Sequence, residues 1–167
     1  MREALREISS RVMMMFSRGV LRGVDDSGPR QRVQVELLKD ELRDGLEHMQ
    51  NYGFTSHPKG GDVAVAFLGG NREQGIVLVV DDRQYRLKLQ PGEVAIYDDL
   101  GNKIELLRDM VKVTAMQKIQ IDAPEGEFNI DTLDINGSDL RHNGKNIGST
   151  HQHDGVLPGG SNTGEPV

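Results

Sequence analysis

Hydrophobic and polar positions follow three different rhythms along the chain. In the opening segment Leu5, Ile8, Val12 and Met15 recur at spacings of three, four and three, with Arg2, Glu3, Arg6, Glu7 and Arg11 between them. Residues at those spacings share one face of a 3.6-residue helix, so an amphipathic helix is predicted over 1–18, ended by Gly19. Its apolar stripe is expected to pack on the domain that follows; the alternative is docking on a neighbouring subunit.

From Val20 to about Arg86 the period shortens to two. Val20-Leu21-Arg22-Gly23-Val24 and Arg32-Val33-Gln34-Val35-Glu36-Leu37 flank the turn-rich Asp25-Asp26-Ser27-Gly28-Pro29, which predicts a hairpin. A looser stretch with Asn51-Tyr52-Gly53-Phe54 and His57-Pro58-Lys59-Gly60-Gly61 follows. Strands are then expected over 62–68 and 75–80, on either side of Gly69-Gly70-Asn71. Five short strands in this space suit a small closed barrel of oligonucleotide/oligosaccharide-binding (OB-like) topology, placed at 19–90.

Beyond Leu87 an apolar–polar–apolar unit repeats in Val94-Ala95-Ile96, Ile104-Glu105-Leu106, Val111-Lys112-Val113, Ile119-Gln120-Ile121, Phe128-Asn129-Ile130 and Leu133-Asp134-Ile135. Turns intervene at 98–102, 123–126 and 136–137. Both apolar side chains of a unit point to one face of a strand. Two buried side chains per unit do not offset the backbone entropy of ordering it, so the ladder is marginal in one chain. It is also too short and irregular for a single-chain solenoid. Three copies wound about a common axis bring each apolar pair against its symmetry mates. The chain is therefore expected to be mainly β: an N-terminal helix, a small OB-like barrel, then an intertwined trimeric β-helix at 91–148 and an apex at 149–167. A second antiparallel sheet folded onto the barrel is the competing arrangement.

Composition removes several functions. The absence of cysteine excludes disulfides, thiolate zinc sites and cysteine nucleophiles. No apolar stretch has the length of a membrane span or the form of a signal peptide, which leads to the expectation of a soluble protein made in the cytoplasm. A net charge of −6 argues against sequence-independent nucleic-acid binding. Twenty glycines and 4% aromatic residues fit many turns and no large aromatic core.

The candidate chemistry lies near the C-terminus. His151 and His153 are one residue apart, so in an extended segment both project to the same side and reach one ion. A lone His-x-His in a polar loop is usually incidental. Threefold symmetry raises the set to six imidazoles, which fits an octahedral first-row cation, with ferrous iron (Fe2+) on the axis as the leading candidate.

Thr150-His151-Gln152-His153, with Gly159-Gly160 and Thr163-Gly164-Glu165-Pro166, resembles the apex of phage tail spikes. Asn51-Tyr52-Gly53-Phe54-Thr55-Ser56-His57-Pro58 and Phe67-Leu68-Gly69-Gly70-Asn71-Arg72-Glu73-Gln74-Gly75 are similar to the baseplate assembly protein V, or central spike, family of Mu-like and P2-like contractile phages. The resemblance implies a homotrimer at the tip of the tail baseplate in the virion, attached to hub and tail tube proteins through barrel and helix, contacting the host outer membrane mechanically and performing no catalysis. It also implies iron held by the His-x-His triplet; some relatives bind calcium and chloride on the axis, at positions this sequence does not mark. Two rivals remain. A lysozyme-like module has no segment left to occupy and no distinguishable acid/base pair. An OB-fold module for nucleic acid or oligosaccharide would stack bases on Tyr52, Phe54 and Phe67, without an interleaved basic stripe.

Overall fold

The computed structural model describes residues 2–38, 40–152, 155 and 159. Helix α1 spans Arg2–Met13 and ends well before Gly19. The Met14 amide still reaches Ser10 O at 3.2 Å, but the chain then turns and strand β1 begins, Phe16–Asp25. Gly19 therefore does not terminate the helix. It lies inside β1, where a Cβ would meet Glu36 O at 2.6 Å and a Val35 methyl at 2.7 Å, so close approach of the next strand demands the glycine. Burial of the helical stripe on the following domain is also not what the structure adopts: Leu5, Ile8 and Val12 remain 61%, 59% and 58% exposed. The barrel holds α1 by its last turn, where the Arg11 carbonyl sits 2.6 Å from the place a Cβ on Gly70 would occupy.

Strands β1, β2 (Arg32–Glu36), β3 (Leu42–His48), β4 (Asp62–Phe67) and β5 (Gly75–Asp81) close a barrel in the order β1-β2-β3-β5-β4. β1 pairs antiparallel with both β2 and β4, and β3 runs parallel to β5. The predicted β1–β2 hairpin forms. β3 lies in sequence that shows no clean alternation, because its pairing with β2 jumps from Val33↔Leu46 to Val35↔Arg43 across a bulge with Gly45 at φ 70°. A bulge shifts the inward positions by one residue and erases the period of two.

Alternate side chains fill the interior: Leu21, Val33, Val35, Leu46, Val63, Val65, Phe67 and Val77 are all buried. Gly75 leaves room for the Phe67 ring, which a Cβ there would meet at 2.7 Å. Above that ring the Arg72 guanidinium stacks at 4.9 Å. Arg72 also grips Glu41 with two bonds of 2.7 Å and donates to Ser17 Oγ at 3.2 Å. One cation thereby ties the start of β1 to the β2–β3 connection and the turn before β5. That hydrogen bond from Arg72, against a smaller cost of desolvation, holds the Glu41 carboxyl below the usual range.

Two polar side chains are buried with the core, Gln31 and His48. His48 Nδ1 donates to Gln31 Oε1 at 2.6 Å, and Gln31 Nε2 donates to Ser56 O at 2.8 Å. Gln50 completes the clasp, accepting from the Ser56 amide at 2.6 Å and donating to Ser56 O at 3.0 Å. The long β3–β4 connection is thus pinned to the barrel wall. Burial lowers the His48 pKa.

After the barrel, β6 (Val94–Tyr97), β7 (Lys103–Leu106) and β8 (Val111–Thr114) form an antiparallel sheet. A Lys59–Asp99 ion pair links it to the barrel. The three later apolar–polar–apolar units form no strand among the described residues of this one chain. The chain divides into two compact units, Met1–Ile119 and Gln120–Val167; the second carries a hairpin of β9 (Arg141–His142) and β10 (Lys145–Asn146).

Arg72→Ala is expected to cost about 1.5–3 kcal/mol in urea denaturation, the usual worth of charged hydrogen bonds that leave a half-buried partner behind. A second expectation concerns pH. Because burial disfavours the His48 imidazolium, the unfolded chain takes up that proton first as pH falls below about 6.5. Stability is then complete above that value and declines toward the lower folded-state pKa. Glu41 loses its contribution only at pH below about 4.3. Urea midpoints should therefore begin to drop as pH falls below about 6.5 in the native protein, ahead of any loss from Glu41, and this early drop should be largely absent in His48→Gln.

Candidate functional site

The β6–β7–β8 register places Val94 opposite Leu106 and Leu106 opposite Val111, with Ile96, Ile104 and Val113 aligned in a second row. Residues directly opposite one another in an antiparallel sheet share a face. Six branched apolar side chains therefore form one continuous patch, each between 45% and 68% exposed. The other face carries Ala95, Glu105 and Lys112 in one row and Tyr97, Lys103 and Thr114 in the next, with a Lys103–Glu105 ion pair at 3.1 Å. The polar face is the more covered of the two, and the apolar face is the open one.

The same imbalance continues toward the C-terminus. Ile119, Ile121, Phe128, Ile130, Leu133 and Ile135 are 55% to 79% exposed. No described residue after Val77 is buried. Isolated exposed apolar side chains are ordinary, but a run with strand periodicity marks a surface made to be covered.

The second unit supplies the histidine. Asn143 and Gly144 both have positive φ, 49° and 78°, which is the two-residue turn that joins β9 to β10 with the right twist. Sequence reading passed over this hairpin, although an Asn-Gly pair is its strongest short-range signal. Past the hairpin, Asn146 Oδ1 accepts from the Gly148 amide at 2.8 Å and Asn146 Nδ2 donates to Thr150 Oγ1 at 2.8 Å. The loop so braced turns Gly148 O toward His151, whose backbone amide and ring Nδ1 reach it at 3.1 Å and 2.7 Å. A carbonyl oxygen only accepts, so Nδ1 carries a proton in this contact. Metal-ligating imidazoles are commonly oriented in this way, with the far ring N–H tied to a carbonyl. His153, its expected partner, lies outside the described residues. Among the described residues of one chain, no group of three His, Asp or Glu side chains is placed to hold an ion.

The rival sites fare differently. Phe67 is buried under Arg72 and offers no face to a base, whereas Tyr52 and Phe54 are exposed on the clasped loop. A cleft of about 440 Å³ runs between residues 55–59, 80–82 and 97–99 and contains several carboxylates. Two of these are committed to structure. Asp98 accepts from Asn102 Nδ2 at 2.6 Å and from the Asn102 and Leu100 amides, which lower its pKa, and Asp99 pairs with Lys59.

Residues 18–84, which contain nearly the whole barrel, match the family described as Bacteriophage Mu Gp45, N-terminal. The chain is 37% identical over 134 residues to the baseplate puncturing device gp45 of Escherichia phage Mu, covering 74% of this chain and 68% of that protein. It is 28% identical over 160 residues to the Mu-like prophage FluMu protein gp45 of Haemophilus influenzae, covering 86% and 88% of the two chains.

The hydrogen bond to Gly148 predicts that His151 is in the Nδ1–H form at neutral pH in metal-free protein. Long-range proton–nitrogen correlation spectra should show a protonated Nδ1 for this ring, and Asn146→Ala, which loosens the brace, should shift the tautomer ratio.

Proposed function

From the premise that the chain belongs to the family of bacteriophage Mu gp45, we propose that it is the spike of a phage tail baseplate, a virion component that punctures the host envelope. The observation that carries this reading is the six-residue apolar face of β6–β8, continued by the uncovered pairs up to Ile135. A self-sufficient binding module does not leave its second sheet bare. A homotrimer resolves the imbalance: three such faces turn inward around one axis, and the unpaired edges of one chain bond to the next.

In that assembly the apolar interior and the interchain ladders make a stiff shaft. The work is mechanical: force from the tail travels along the shaft to a narrow tip, and no covalent step is required of the protein. The barrel faces the rest of the baseplate, where hub and tube proteins are the expected partners. At the other end His151 and His153 from three chains would supply six imidazoles, a set that suits octahedral iron. His151 fits the role in that its ring is oriented through Nδ1 by the Gly148 carbonyl, the usual bracing of a metal-ligating imidazole. A bound ion supplies a crosslink among the chains, and because all six ligands come together only in the assembled protein, its binding energy adds to assembly. The OB-like module for nucleic acid or oligosaccharide is the weaker reading, since it leaves this face without a use.

Sedimentation velocity with elemental analysis tests the reading. The expected species is a trimer with about one iron per three chains. Ile104→Asp combined with Val113→Asp should yield monomers with a folded barrel. Alanine at both His151 and His153 should abolish iron uptake and leave the trimer intact. A metal-free monomer of the native sequence overturns the proposal.

A further inference from the structure

Helix α1 meets the barrel at its last turn, where Arg11 O lies close to Gly70. Its stripe of Leu5, Ile8 and Val12 is more than half exposed. The spacing of three and then four is the seam of a heptad, with Leu5 and Val12 at a and Ile8 at d. Leucine at a with isoleucine at d favours bundles of three or four helices over pairs. The flanks of the seam agree with self-association in parallel. Ala4 and Ser9, at g and e, are small and uncharged, so neighbouring helices approach closely. Two arginines also flank the seam: Arg2 at its N-terminal end, and Arg11, which is neutralised within its own helix by Glu7 at 2.9 Å. Glu3, Arg6 and Ser10 lie on the outward side.

We infer that the α1 helices of three copies pack against one another along Leu5, Ile8 and Val12 as a short parallel bundle that clamps the barrel ends of the trimer together. The inference rests on the homotrimeric reading. A 12-residue helix with three seam residues is too short to associate alone. Tethered to chains already joined by their shafts, the three helices meet at an effective concentration in the millimolar range, roughly that of short flexible linkage, and a weak contact becomes occupied. The uncovered stripe is then explained without another protein, and both ends of the molecule obey the same threefold axis.

The test uses the full chain, which has no cysteine of its own. Ile8→Cys places one thiol on the seam; Ser10→Cys places it on the outside of the bundle. Both sites are exposed in the single chain, so both variants should fold. Each is sedimented and then treated with a short bismaleimide. The expected result is a trimer in which Ile8→Cys chains are joined covalently at least tenfold more than Ser10→Cys chains. In addition, Ile8→Asp should weaken the trimer, seen as a midpoint of dissociation shifted to about tenfold higher protein concentration. A trimer in which the two cysteine variants react equally, or in which neither reacts, overturns the bundle and leaves the homotrimer standing; the stripe would then belong to another baseplate protein. A monomer overturns both.

Discussion

The sheet after the barrel is governed by one constraint: branched apolar side chains that remain exposed among the described residues. Val94, Ile96, Ile104, Leu106, Val111 and Val113 share one face of a three-stranded sheet, and nothing in the first unit packs on that face deeply enough to bury any of them. Hydration of such a surface is unfavourable in proportion to its area. In the proposed homotrimer that sheet is one half of an interface, and its register fixes the spacing of the other half. Copies of the same chain satisfy that demand with the same side chains repeated, which is the economy behind symmetric oligomers.

The barrel obeys the opposite logic. Its eight buried apolar residues close on themselves, and its two buried polar side chains are paired: His48 with Gln31, and Gln31 in turn with Ser56. Arg72 gathers Glu41, Ser17 and the Phe67 ring at a single point. Such a wall keeps its shape without a partner, which is what an attachment module needs if the shaft is to transmit load. The matched family segment, 18–84, coincides with this self-contained part. Helix α1 and the later strands are the parts that look outward.

Several elements were legible from periodicity because their side chains alternate without interruption. The β1–β2 hairpin and strands β4 and β5 fall where the period of two places them. β3 was hidden, since the bulge at Gly45 moves its inward residues out of step. The helix boundary was misplaced for a related reason. Met15 continues the helical spacing, yet its carbonyl accepts the Phe67 amide at 2.7 Å, so the barrel claims the chain before the pattern ends. Gly19 looked like a cap and proved to be a point of close strand approach.

The sequence alone determined the order of most elements and the two-faced character of β6–β8, because each follows from side-chain period and residue type over a few neighbours. It also carried the family resemblance through the segments around Tyr52 and Arg72. Only the tertiary structure decided which apolar surfaces the chain consumes and which it leaves open, for burial depends on what arrives from distant sequence. The same holds for the orientation of the His151 ring: a loop closed by Asn146 brings Gly148 O to Nδ1 across three residues of backbone.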